Sequence, residues 1–159
     1  MDGRTQFNSH PSMKKILPTI LIGLFATLQS CAAEPEPGPK FAVLAEFAKA
    51  MEARDPVALA ACFTADYRSE QPLHPARAFR GADKVREHWV QVFKMVPDLR
   101  QETVRVAYNG DTAWQEFRWV GHNGDGSAFE MCGVMLFGMS GGKIAWGRLY
   151  FDPPEKGGD

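Results

Sequence analysis

The sequence lacks the features that mark several common classes of protein. Its 159 residues carry a formal net charge of -1, so there is no positive excess to bind a nucleic-acid phosphate backbone. It has no glycine-rich phosphate-binding loop and no nucleophile elbow, and its four histidines and three cysteines show no metal-ligand spacing. The composition therefore predicts no nucleic-acid partner, no metal and no cofactor.

Long apolar runs are also scarce, and the main one lies near the N-terminus. It extends from Ile16 to Leu28, follows two lysines, and is shorter than the roughly 20 residues that a membrane-spanning helix needs. This pattern is typical of a signal peptide, which we predict over residues 13–31. Leu28–Cys31 resembles a bacterial lipobox, so Cys31 is the predicted lipid-attachment residue. The alternatives are cleavage after Ala32 without lipid, and a buried N-terminal helix.

The signal segment separates an upstream extension from a tether and one domain. Residues 1–12 precede Met13, which we expect to be the true start, and are interpreted as non-native. Residues 32–40 are proline-rich and predict an extended tether. Residues 41–153 have the apolar content of one folded domain, and a disordered tail is expected at 154–159. The protein is thus predicted to be exported to the periplasm or cell surface, where a lipid would anchor it to a bacterial membrane.

Hydrophobic periodicity predicts three helices in the first half of the domain. The first ends near Arg54, and Asp55-Pro56 is a strong start for the second. Aspartate accepts from the free amides of a first turn, and proline fits the first helical position. A short strand is predicted at Asp66–Glu70, and the third helix stops at Pro97.

The second half of the domain has the periodicity of strands. Its separators are rich in asparagine and glycine, which accept the positive φ of hairpin turns. The predicted strands are Thr103–Tyr108, Thr112–Val120, Ala128–Phe137 and Ile144–Phe151. Helices followed by a meander favour an α+β fold with a twisted antiparallel sheet. Cys62 and Cys132 are interpreted as buried thiols, with a disulfide as the alternative.

Several short motifs follow one another in order between Phe41 and Pro153. They include Arg54-Asp55-Pro56, Asp66-Tyr67, Pro72-Leu73-His74-Pro75, Phe79-Arg80-Gly81, Val96-Pro97-Asp98-Leu99, Trp114-Gln115-Glu116-Phe117-Arg118-Trp119 and Arg148-Leu149-Tyr150. This ordered set resembles the SnoaL-like branch of the nuclear transport factor 2 superfamily. The resemblance implies a cone-shaped α+β roll, in which a curved antiparallel sheet packs on three N-terminal helices around a pocket. It also implies an apolar or polyketide-like ligand, no cofactor, and homodimers that pair through the outer sheet face.

Polar side chains on the later strands are the candidates for catalysis. Alternation places Glu116 and Arg118 on one strand face, and Arg148 and Tyr150 on one face of the last strand. On a concave face, Glu116 would be a buried general base, with Arg148 binding an anionic group and Tyr150 donating to an oxyanion. His74, in a loop, would shuttle protons at the pocket mouth. The alternatives are surface ion pairs, a rim pair, and a loop histidine bonded to backbone.

Further residues are predicted to line the pocket without reacting. They are Tyr67, Trp89, Trp114, Arg118 and Met131. His88 is expected to face solvent, and the alternation leaves open which face of Thr112–Val120 is concave. The predicted function is cofactor-free proton transfer of isomerase, cyclase or dehydratase type. The alternatives are a non-catalytic ligand-binding envelope lipoprotein and a dimeric interaction module.

Overall fold

The structure is a computed structural model that describes residues 38–155. The predicted upstream extension, the signal segment with Cys31, and most of the tether lie outside the described residues. Within them are three α-helices, α1 (Ala42–Ala53), α2 (Pro56–Ala61) and α3 (Ala82–Met95), and two short 3-10 helices, Pro39–Phe41 and Pro75–Arg77. Across residues 38–155, no helix combines the length and the apolar character that crossing a membrane requires.

A curved six-stranded sheet forms the other layer. Its strands are β1 (Phe63–Glu70), β2 (Phe79–Arg80), β3 (Arg100–Asn109), β4 (Thr112–His122), β5 (Ala128–Ser140) and β6 (Lys143–Asp152), in the spatial order β2-β1-β6-β5-β4-β3. The strands from β3 to β6 form the predicted antiparallel meander, and β1 pairs in parallel with β6. The predicted α+β class, with a curved sheet on N-terminal helices, is confirmed.

The helix boundaries follow the local signals in the sequence. Asp55 caps α2, because its Oδ1 accepts hydrogen bonds from the backbone amides of Val57 at 2.9 Å and Ala58 at 3.0 Å. Helix α3 ends just before Pro97, whose ring cannot continue the helical hydrogen bonds. These boundaries place α1 and α3 against one face of the sheet.

The core lies between that inner face and the helices. Phe47 of α1 and the strand residues Phe117 and Phe137 are almost completely buried, with 2% exposure or less. Removing each such ring from water stabilises the fold by roughly 1.5–3 kcal/mol. Cys62 is buried at the end of α2, Cys132 is half-buried on β5, and both are free thiols, so the disulfide alternative does not hold.

A β-bulge in β6 changes which side chains face the core. Met139 pairs with Ile144 and Gly138 pairs with Trp146, so Ala145 is an extra residue in this strand. An added residue reverses the faces of all positions beyond it. Ile144 is therefore fully buried, whereas Trp146 covers Gly138 on the outer face. Strict alternation along the strand would have placed Ile144 and Trp146 on the same face, and the bulge separates them.

Candidate functional site

The inner sheet face and the helices enclose a cavity. Its volume is about 40 Å³. The lining is mostly aromatic, with three further apolar and three polar side chains: Phe47, Phe63, Tyr67, Phe79, Trp89, Trp119, Phe137, Phe151, Val85, Met135, Leu149, Ser69, Gln71 and His88. A few polar groups in an apolar hollow are the usual composition of a small-molecule site.

Strand β1 and the residue after it supply a row of polar side chains to this cavity. Tyr67, Ser69 and Gln71 are 3%, 4% and 8% exposed, and all three line the cavity. They share one side because alternate residues of an extended chain point the same way. The intervening Arg68 and Glu70 are not among the lining residues. We refer to Tyr67, Ser69 and Gln71 as the polar row.

The environment of the polar row keeps Tyr67 in its protonated form. Burial raises the pKa of the Tyr67 phenol well above its ordinary value, and a hydrogen bond with Ser69 opposes this only in part. The hydroxyl lies against the backbone of Gly147, where a Cβ atom would overlap it. The Gln71 amide donates to the backbone carbonyl of Arg77 at 3.3 Å. Tyr67 therefore presents a neutral O–H donor in a fixed position.

His88 lies at the rim of the cavity, in contact with solvent on one side. Its ring centroid is 6.0 Å from that of Phe79 and 5.8 Å from that of Trp89. Desolvation by these neighbours lowers the pKa of His88, so the imidazole is neutral at neutral pH. His88 is exposed, as expected, and its ring also borders the cavity. His88 lies beside the apolar stripe, three residues after Val85, and this spacing is the signal that could have revealed it.

Tyr67 and Trp89 are the two predicted pocket residues that the structure brings to the cavity. Met131 packs against the core but does not line the cavity. Trp119 also lines the cavity, although the sequence did not predict it as a pocket residue. Its indole Nε1 donates to Gln101 Oε1 at 2.8 Å, and its ring lies 5.4 Å from that of Trp89. This bond and the ring contact hold Trp119 as one wall of the cavity.

Three other predicted residues, on β4, lie on the outer face of the sheet. Glu116 is bound to Arg105 at 2.7 Å and is 40% exposed, so its placement as a buried base is wrong. Arg118 pairs with Glu130 at 2.6 Å, and Trp114 is 47% exposed. The helices cover the other face of β4, which carries the buried residues Ala113, Gln115, Phe117 and Trp119. The surface ion-pair alternative therefore describes Glu116 and Arg118.

The remaining predicted catalytic residues also lie outside the cavity. Arg148 donates to Glu70 Oε2 from Nε at 2.8 Å and from Nη2 at 2.6 Å, and it is hydrogen-bonded to Tyr150. The bulge in β6 turns both residues to the outer face, which corrects their predicted inward placement. His74 Nε2 lies 2.6 Å from Asp152 Oδ1, so this loop histidine is bonded to a side chain. Its role as a proton shuttle stays a prediction.

The sheet and the helices together define a fold of the α+β roll type with a cavity between its two layers. Residues 44–146 match the model of the SnoaL-like domain, and the chain belongs to this family. No curated protein sequence matches the chain.

Solved structures with the same fold have low sequence identity to the chain. A hypothetical protein with a ketosteroid isomerase-like fold from Catenulispora acidiphila, in complex with trimethylamine, is 18% identical over 74% of this chain and 86% of its own, with a TM-score of 0.62. A protein named as a SnoaL-like polyketide cyclase from Jannaschia sp. CCS1 is 18% identical over 76% and 90%, with a TM-score of 0.62. TerC, co-crystallised with polyporic acid, is 15% identical over 72% and 92%, with a TM-score of 0.63. At this identity, the likeness establishes the fold.

Proposed function

We propose that the domain binds a small, uncharged, largely apolar molecule in the cavity. The observation that carries this proposal is the polar row, which is buried within a mostly aromatic lining. No aspartate, glutamate, lysine or arginine is among the lining residues of the described chain. An ionised ligand would lose its hydration without gaining a counter-charge, so a neutral ligand is favoured. The small molecules in the structures of TerC and the Catenulispora protein support a ligand-binding role.

The chemistry that suits this cavity is cofactor-free proton transfer of the isomerase, cyclase or dehydratase type. The neutral Tyr67 hydroxyl can donate to a carbonyl or hydroxyl oxygen of the ligand, and the aromatic walls exclude water from the reacting atoms. A non-catalytic ligand-binding protein would use the same cavity without turnover. Both alternatives share the binding step, which can be tested first.

The four tryptophans provide an internal control for a binding experiment. Trp89 and Trp119 line the cavity, whereas Trp114 and Trp146 lie on the outer face. We expect small ketones such as acetone to shift the indole N–H NMR signals of the first pair in isotope-labelled protein. The signals of the second pair should stay in place. Shifts confined to Trp114 and Trp146, or no shifts with any such compound, would refute binding in the cavity.

A second candidate function is self-association through the outer sheet face. Trp114 is 47% exposed and lies beside Leu136 in the strand register, and Trp146 lies nearby over Gly138. Ion pairs between neighbouring strands flank this apolar strip and present both positive and negative charge. A second copy of the chain would therefore be complementary to it. Light scattering on the purified domain should give a dimer mass, and Trp114→Lys should give a monomer. A monomeric mass for the unaltered domain would refute this candidate.

We also propose that the protein is exported and carries a lipid on Cys31. The support is the sequence pattern alone: a positively charged start, a short apolar run and a lipobox-like end. Mass spectrometry of the N-terminal peptide of the mature protein tests this directly. A diacylglyceryl group on Cys31 is expected, and a peptide that retains Met1 would refute export.

A further inference from the structure

We propose that a groove between α1 and β3 binds the phosphate group of a small soluble molecule. The groove is lined by two alanines, three basic side chains, one glutamate and one glutamine, and its volume is about 680 Å³. A recess of this size is within the range of small-molecule sites. No residue of the described chain lines both the groove and the cavity, so this inference does not depend on the proposed function.

Small residues on α1 leave room for the groove. Ala45 and Ala48 are three positions apart, so they lie on the same face of the helix, and both border the groove. Their methyl groups are too short to fill the space between the helix and the first residues of β3. The longer side chains of Lys49, Arg54 and Arg100 also border this recess, so an occupant would meet them.

The three basic residues that line the groove have no acidic partner. Lys49, Arg54 and Arg100 form no ion pair within residues 38–155, although six other basic side chains in this range do. Glu52 is the acidic lining residue and is also unpaired in this range, so the groove keeps two net positive charges. A phosphate monoester carries about 1.5–2 negative charges at neutral pH and would neutralise them.

Arg54 lies at a position where glycine is the usual residue. It follows α1 with a φ of 52° and a ψ of 42°, and it is the one non-glycine residue of the described chain with a positive φ. Glycine adopts this left-handed conformation without steric cost, whereas arginine does not. The backbone conformation alone therefore does not favour an arginine here, and an anion in the groove would give this side chain a role.

Gln101 supplies a neutral hydrogen-bond donor with a fixed orientation. Its Oε1 accepts from the indole Nε1 of Trp119 at 2.8 Å, and an indole nitrogen can only donate. This bond fixes which end of the amide is the oxygen, and Nε2 forms no hydrogen bond within the described residues. Because Gln101 lines the groove, its Nε2 group is left to donate to an oxygen of the phosphate.

These donors suit a phosphate group better than a carboxylate. A guanidinium group can bind two oxygens of one anion side by side, and Lys49 adds a compact positive charge. A carboxylate has one charge and two oxygens, which would leave part of the positive charge and some of the donors without a partner. A phosphate monoester offers three strong acceptor oxygens. Binding is therefore expected to depend on both Arg54 and Arg100.

Titration of the isotope-labelled protein with inorganic phosphate, followed by NMR at constant ionic strength, tests this site. We expect the side-chain amide signals of Gln101 to shift until they saturate, and those of Gln71 in the cavity to stay in place. Arg54→Gly and Arg100→Gln should each weaken binding by about 10-fold, the contribution of a hydrogen bond to a charged group. Arg54→Gly should keep its melting temperature, because glycine suits the positive φ.

The matched control is Arg80→Gln, which removes the same charge at a distance from the groove. Arg80 is exposed and lies on β2, at the opposite edge of the sheet from β3. This variant should bind phosphate with unchanged affinity. An equal loss of affinity in Arg80→Gln and Arg54→Gly would show a diffuse effect of charge and would overturn the site. Signals of Gln101 that do not respond to phosphate would overturn it as well.

A second measurement separates a soluble ligand from a membrane surface that carries the same phosphate group. We expect the protein to sediment equally with vesicles of phosphatidylcholine alone and with vesicles that also contain phosphatidic acid, because the groove is recessed between α1 and β3. A preference for phosphatidic acid that is lost in Arg54→Gly, together with no response of Gln101 to inorganic phosphate, would overturn the soluble ligand.

Discussion

Replacing Gly147 by alanine should disturb the cavity, because it adds one Cβ atom beside the Tyr67 hydroxyl. A Cβ atom at this position would overlap the hydroxyl of Tyr67 and would lie 3.2 Å and 3.3 Å from two ring carbons of Phe137. Phe137 is 2% exposed and cannot move away without displacing the core. Overpacking of this kind costs about 1–3 kcal/mol of unfolding free energy.

The overlap can be separated from other effects by a second substitution. Tyr67→Phe removes the overlapped oxygen and should by itself cost about 1 kcal/mol, since it also removes the hydrogen bond with Ser69. In the Gly147→Ala/Tyr67→Phe double variant, the added methyl group gains the space of the missing hydroxyl. The combined loss should therefore be smaller than the sum of the single losses, by about 0.5–3 kcal/mol.

Urea unfolding followed by circular dichroism measures these differences as shifts of the midpoint at constant slope. Gly124→Ala is the matched control, because a Cβ atom there meets nothing within 4 Å. It should leave the midpoint nearly unchanged. Strictly additive losses for Gly147→Ala and Tyr67→Phe would refute the contact between the Tyr67 hydroxyl and the strand backbone, and with it the position of the polar row.

Three further predictions concern the core, the outer face and acid stability. Phe117→Ala should cost about 3–5 kcal/mol in the same urea assay, because Phe117 is 1% exposed; a loss below 1 kcal/mol would contradict its place in the core. Glu116→Gln should cost less than about 1 kcal/mol and leave ligand-induced shifts unchanged, since its pair with Arg105 is on the surface; lost binding would contradict this. The hydrogen bond from His122 lowers the pKa of Asp98. The stabilisation that the Asp98 carboxylate gives the fold is therefore complete above the ordinary pKa of 3.8, and it is lost as the pH falls through the lowered pKa. Asp98→Asn should accordingly be less stable than the unaltered protein at neutral pH, with the difference shrinking in acid unfolding titrations; a constant difference would contradict the assignment.

The order of elements could be predicted because local signals and tertiary packing agree. The Asp55 cap, the proline after α3 and the turns between strands each favour the element that forms. The parallel pairing of β1 with β6 could not be read from the chain, because partners distant in sequence leave no local pattern. The same holds for the extra residue in β6. A bulge is set by pairing with the neighbouring strand, and Ala145 looks like an ordinary strand residue.

The candidate site was predicted less completely, for two physical reasons. Both faces of β4 carry large apolar side chains, so alternation alone does not show which face the helices cover. The bulge then reversed the faces of Arg148 and Tyr150, which had the residue types of a catalytic pair. Conversely, Ser69 and Gln71 are common surface residues, and only the burial of β1 gives them a place in the cavity. Trp89 was predicted because it lies on the apolar stripe of the third helix, and Tyr67 because it lies in the strand after the second helix and carries a hydroxyl on an aromatic ring.

A crystal structure of the domain soaked with a small neutral ketone tests the central claim most directly. We expect density for the ligand among Trp89, Trp119 and Phe79, with its carbonyl oxygen within hydrogen-bond distance of the Tyr67 hydroxyl. Density located instead on the outer face, beside Glu116 or Arg148, would contradict it.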